Sequence, residues 1–214
     1  VGENGGAVFS SSSSRFINCT FSSNTAKGGY NQDLSCQGDY HYIGGQGACI
    51  FSKAGCIIES CTFSSNNATL LESMGPGVVY VQSNTIIENS AFLNNSADAA
   101  LYWLGDGSIS NSTFENNSAW DSGGAIFIGG NATISNCDFR GNHGANYGGA
   151  IYALGHFDEN YNTGDYSYMK SQISILNSNF YNNNANLYGG ALYLIKDSFV
   201  KNCTFVENYL DVEG

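Results

Sequence analysis

Apolar and polar residues alternate at a period of two along most of this chain, and the alternation restarts in blocks of about 22–25 residues. The clearest block is 123–142, GGAIFIGGNATISNCDFRGN: a Gly-Gly-Ala, an alternating apolar run, then Phe followed three residues later by Asn. Aligned on F-x-x-N, seven copies appear, with Phe21, Phe63, Phe92, Phe114, Phe139, Phe180 and Phe205 as the anchors. Upstream stands a small residue, Ala7, Ala48, Val78, Ala100, Ala125, Ala150 or Ala191. The step from it to Phe is 14 residues in five copies, 15 in the second and 30 in the sixth.

Five residues before each Phe runs an unbroken apolar column, Phe16, Ile58, Ile87, Ile109, Ile134, Ile175 and Val200. Two before it stands either Cys or Ser, and three before it Asn recurs in all copies but the second, which has Ser60. Alternation with β-branched and aromatic residues predicts strands, about three short ones per block, and the apolar spacing excludes a helical repeat. Each block is then one turn of a parallel β-solenoid, with like residues stacked ~4.8 Å apart and the seven Phe forming a continuous core stack. Asn at the bends tolerates the left-handed conformation and can bond to the rungs above and below, while the Gly pair supplies a tight corner. The fold class is all-β, a solenoid of about seven coils in a single domain over residues 1–214. Insertions interrupt it at about 27–46 and 155–171.

GGA-[I/V/L] followed by F-x-x-N resembles the repeat of the chlamydial polymorphic outer membrane proteins and related β-helix repeats of protists and bacteria. The resemblance covers essentially the whole chain. It implies a right-handed parallel β-helix of the pectin-lyase-like type. The membrane-anchoring barrel that follows the bacterial repeats has no counterpart in these 214 residues.

Charged residues make up only 12% of the chain, against about a quarter in ordinary domains, and Asn, Ser, Gly and Thr replace them. A net charge of −11 with seven Lys or Arg argues against nucleic acid and anionic membranes as partners. No apolar run is long enough to insert in a bilayer. Val1 carries no signal-like start, so the chain is expected to be a mature product or a segment. Seven N-x-S/T sequons on this surface point to a secreted or cell-surface glycoprotein with N-linked glycans. Asn67, Asn94, Asn116 and Asn131 lie outside the Asn column and are expected to be exposed and glycosylated. Asn18, Asn111 and Asn202 lie in that column and are expected to be occupied with ladder bonds instead.

Seven Cys without a CxxC pair do not make a zinc module. Cys19 and Cys61 share a column on successive copies and are candidates for a disulfide, as is Cys36 with Cys49 or Cys56. Cys137 and Cys203, two rungs apart, are expected to be buried thiols. Pectin-lyase-like enzymes need acids clustered on neighbouring coils; here only Glu59 and Glu88 share a column, flanked by Ile17 and Ser110. His41, His143 and His156 are scattered, so no catalytic residue and no cofactor is expected. Asp158, Asn160 and Asp165 bear a faint likeness to a calcium loop, without its sixth-place Gly and twelfth-place Glu.

Both ends break off in full repeat pattern without a helical or polar cap. The leading expectation is therefore a structural protein that self-associates end to end as a filament or stalk. Two further readings are an adhesin that binds cell-surface or matrix glycans or proteins through the insertions, and a polysaccharide lyase or hydrolase.

Overall fold

The computed structural model describes residues 5–32, 40–69, 77–121, 123–154, 172–195 and 197–211. The chain winds through seven coils, and corresponding strands of successive coils pair in parallel and in register. Four sheets result, where the sequence predicted three strands per coil. The first runs from Val8–Ser10 to Leu192–Leu194, the second from Ser14–Ile17 to Ser198–Lys201, and the third from Thr20–Ser22 to Thr204–Val206. The fourth, from Thr25–Gln32 to Tyr209–Leu210, includes strands of only two residues, such as Ser96–Ala97 and Ser118–Ala119. Alternation cannot be read from two residues, so in the sequence this sheet shows only through its recurring Ala five after Phe, at Ala26, Ala68, Ala97, Ala119 and Ala185.

The third and fourth sheets each send one column inward, and the first and second each send two. The second supplies Ile58, Ile87, Ile109, Ile134 and Ile175, and the fourth supplies Ala68, Ala97, Ala119 and Ala185, all buried. The third supplies the Phe column, whose rings lie nearly parallel with centroids 4.6–5.1 Å apart from Phe21 to Phe205. No single coil could bury its own Phe; each ring from Phe63 to Phe180 is covered by those above and below. Trp103 fills the first-sheet side of the core, fully buried, and its indole N–H finds no acceptor among the described residues.

The first sheet corrects the alignment of the second copy. Ile50, not Cys49, pairs with Val8 and Val79. Cys49 therefore takes the small-residue place that Ala holds elsewhere, and Gly47, at φ +69°, corresponds to Gly123, also at +69°. Counted from Cys49, the step to Phe63 is 14 residues, as in the other uninterrupted copies. The second Gly of the corner is required by the next coil: a Cβ on Gly149 would stand 2.1 Å from the Gly190 carbonyl oxygen.

The first insertion begins as a continuation of the fourth sheet. Thr25–Gln32 pairs with Asn67–Thr69 through Thr25–Lys27, then turns back antiparallel against Tyr40–Gly44. Residues 155–171, with the calcium candidates Asp158, Asn160 and Asp165, lie outside the described residues, as does Cys36.

Candidate functional site

Asparagine fills two kinds of position, and the structure separates them. The Asn of F-x-x-N is internal. From Asn24 to Asn183, each amide nitrogen donates to the amide oxygen of the next coil at 2.9–3.1 Å, ending on Asn208. From Asn66 onward the same nitrogen also donates to the Phe carbonyl of the preceding coil. The backbone N–H joins the same acceptor, so each oxygen of the ladder receives two donors. Asn at the corners is different. Asn18, Asn89, Asn111, Asn136, Asn177 and Asn202, three before Phe, are exposed with φ of 49–55°, and Asn94, Asn116 and Asn182, two after it, have φ of 52–54°. The sequence reading gave both jobs to one kind of Asn; geometry gives the ladder to one column and the left-handed turn to others.

This overturns the reason offered for ranking the sequons. Asn18, Asn111 and Asn202 are as exposed as Asn67, Asn94, Asn116 and Asn131. Asn131, placed among the favoured four, is the most engaged: its amide nitrogen donates to Asp106 Oδ1 at 3.1 Å, and its oxygen accepts from Gln172 N. Asn202 makes one longer bond, 3.2 Å, to Asn177.

The Cys/Ser column is a second ladder. Ser90, Ser112 and Ser178 each donate to the carbonyl two residues earlier at 2.8 Å, and Cys61 and Cys137 do the same with their thiols. Each accepts a backbone N–H from the coil before, Cys19 N to Cys61 Sγ and Cys137 N to Ser178 Oγ among them. Cys19 and Cys61 are thus neighbours, yet both are free thiols. In an in-register parallel pair the Cβ atoms stand about one rung, ~4.8 Å, apart, beyond the ~3.5–4.5 Å that a disulfide needs. Cys49 and Cys56 are also free thiols, and their proposed partner Cys36 lies outside the described residues. Burial pushes the thiols of Cys49, Cys56 and Cys137 up to about 12, 11 and 11. They are inert protonated groups. Cys203 is only half-buried, because it lies in the last described coil.

Glu59 and Glu88 pair directly across neighbouring coils on the second sheet, with Ile17 and Ser110 on either side. Among the described residues no group of three His, Cys, Asp or Glu could hold a metal ion. An open polar groove of about 440 Å³ runs between the second and third sheets, lined by Asn111, Thr113, Asn136, Asp138, Asn177 and Asn179. Asp138 in it is held by Asn179 at 2.8 Å and by Arg140 at 3.2 Å.

The richest aromatic column lies on the first sheet, with Phe51, Tyr80 and Phe127 buried in it, and sequence reasoning missed it. Phe9, Phe51, Tyr80, Tyr102, Phe127, Tyr152 and Tyr193 occupy one column of the first sheet, with neighbouring centroids 4.2–5.5 Å apart. Burial, reinforced by Tyr80 and Asp98, raises the Tyr102 hydroxyl pKa. The column is continuous in sequence once Ile50 is set beside Val8; aligned on Cys49 it is broken, and that one-residue slip hid it. At its far end the hexapeptide YGGA[I/L]Y occurs twice, at 147–152 and 188–193. The left-handed Gly148 and Gly189 fold the first Tyr of each hexapeptide back over the last. Tyr147, Tyr152, Tyr188 and Tyr193 therefore form one cluster, with centroid distances of 5.1–5.8 Å. Exposed Trp120 and Leu187 lie at the same corner of the coils.

A family model described as a right-handed beta helix region matches residues 66–212, more than half of the chain. Comparison with curated proteins and with solved structures gives no match.

Proposed function

The chain belongs to the right-handed β-helix family, and we propose that it serves as a structural subunit of an extracellular, glycosylated filament or stalk whose coils continue end to end between copies. The observation that carries this is the chemistry of the seventh coil. Val200, Phe205 and Leu210 occupy inward columns that are buried in the middle coils, yet here they are 40–46% exposed. Asn208 continues the amide ladder with its single-coil partner, Asn183. This coil carries the interior residue types of the middle coils, so a coil of another copy stacked on it buries them in the same way. Contact between the seventh coil of one copy and the first of another is heterologous and propagates.

Sedimentation velocity of the 214-residue chain over a concentration series is the test. Growth into longer particles with concentration, abolished by Phe205→Asp, is expected. Monomers at every concentration would overturn end-to-end assembly and leave the seventh coil to be covered by further residues of a longer chain. The glycosylation part of the proposal now rests on Asn18, Asn67, Asn94, Asn111 and Asn116, exposed and with no side-chain hydrogen bond among the described residues. A second reading, adhesion to cell-surface or matrix glycans or proteins, draws on the corner at Trp120, Leu187 and Tyr188, which are 50–66% exposed. Loss of cell binding on Trp120→Ala without loss of assembly would favour it.

A further inference from the structure

We propose that the paired YGGA[I/L]Y hexapeptides form an oxidative cross-linking site, in which Tyr147 and Tyr188 join as a dityrosine that staples two neighbouring coils. The two residues form a parallel bridge, and their rings lie 5.7 Å apart at 3°. In-register neighbours of this kind meet whenever the solenoid is folded, so the encounter that limits tyrosine coupling in free chains is already made. Tyr188 is 56% exposed and open to an oxidant, with half-buried Tyr147 beside it.

Tyr193 stands closer to Tyr147, at 5.1 Å, but Tyr152 and Tyr193 are half-buried, so Tyr188 is the exposed tyrosine of the cluster; elsewhere among the described residues the tyrosines are less well placed. Tyr80 is buried, Tyr181 is covered by the Arg140 guanidinium at 5.0 Å, and exposed Tyr209 has no ring contact among the described residues. The oxidant is hydrogen peroxide, used by a haem peroxidase, which accepts two electrons and two protons and leaves as water. Each tyrosine gives up its phenolic hydrogen atom. The two phenoxyl radicals join through a ring carbon ortho to each oxygen, and the hydrogen displaced from each of those carbons returns to the phenolic oxygen. The product is one C–C bond and the net loss of two hydrogen atoms. In a solenoid each coil is held only by its neighbours, so a bond between two coils opposes peeling from that end.

The test exposes the purified chain, dilute, to peroxidase and limiting hydrogen peroxide. The expected result is a monomer lighter by two hydrogen atoms, with dityrosine fluorescence and a linked peptide pair carrying Tyr147 and Tyr188. Tyr188→Phe, which keeps the ring and the stack, reduces that fluorescence to background, while Tyr181→Phe leaves it intact. A monomer without the two-hydrogen loss, oxygen addition in its place, or linkage that joins other tyrosines (Tyr193 included) would overturn the proposal. The experiment reads the monomer alone, so its outcome is independent of filament formation.

Discussion

Asn111 and Asn117 stand in the same coil, on either side of Phe114, and do opposite things. Asn117 is 1% exposed; it receives the backbone and amide N–H groups of Asn95 and donates to Phe92 O and Asn142 Oδ1. Asn111 is exposed, makes no side-chain bond among the described residues, and is retained for a backbone angle, φ +49°. One residue type thus solves two problems: satisfying buried polar groups, where nothing else has the right donor and acceptor, and turning the chain left-handed, where Gly or Ser also serve. The columns record this. The F-x-x-N place holds Asn in every coil, whereas the turn places also hold Ser60, Ser23, Ser65, Gly141 and Glu207.

The largest effect is expected at Asn117. Asn117→Ala leaves the Asn95 N–H, one hydrogen of its amide and the Phe92 carbonyl unmatched in the core, at about 3 kcal/mol in all. Asn117→Asp is worse at neutral pH, about 4–5 kcal/mol, because a buried carboxylate faces two oxygens that expect a donor. Burial raises the folded pKa of that Asp above its unfolded ~3.9. The excess penalty is therefore full above the folded pKa and is relieved as pH falls through it. Urea unfolding of Asn117→Asp from pH 7 down to pH 4 should show its deficit against Asn117→Ala shrinking. A deficit that holds constant over that range would mean the ladder is not closed to water.

At Asn111 the same substitution should be mild. Asn111→Ala puts a Cβ residue at a left-handed φ, for about 1 kcal/mol, and Asn111→Gly should cost next to nothing. If Asn111→Ala approached the Asn117→Ala loss in thermal or urea melts, the division between ladder and corner would be wrong. Both Asn111 variants also remove a sequon, so intact mass of secreted protein reads the glycan independently of stability.

The contrast also explains what was legible in the sequence. A solenoid stacks equivalent residues, so the Phe, Ile and Ala columns showed in the spacing before any coordinate was known. Columns that differ only in what the same side chain does were not separable: Asn111 and Asn117 are both Asn near a bend. Registration failed at Cys49, where a small thiol stands in for Ala beside a genuine Ala48, and with it went the outward aromatic column. The disulfide at Cys19 and Cys61 was inferred from column identity, but parallel registration that brings equivalent residues together also holds their Cβ atoms too far apart. The calcium candidates and Cys36 sit in insertions, where no neighbouring coil supplies a column to compare.

The smallest effect is expected in the Cys/Ser column, where two residue types already interchange. Cys137 donates to Ser135 O, as Ser178 one coil on donates to Leu176 O. Cys137→Ser keeps that bond in a place that serine already fills elsewhere, so at pH 7 it should cost under about 1 kcal/mol. The two differ at high pH. The Cys137 thiol, pushed by burial up to about 11, titrates well above an unfolded thiol. A group whose folded pKa is raised contributes stability that is full below the unfolded value, near 8.5–9, and is lost as pH rises through the folded one. Serine does not titrate in this range. The wild-type chain should therefore lose on the order of 2 kcal/mol against Cys137→Ser between pH 8.5 and pH 11. Tyrosines and the other cysteines titrate alike in both proteins, so the difference isolates this one thiol. Parallel urea-unfolding curves across that range would mean that Cys137 ionises as freely in the coil as in the unfolded chain.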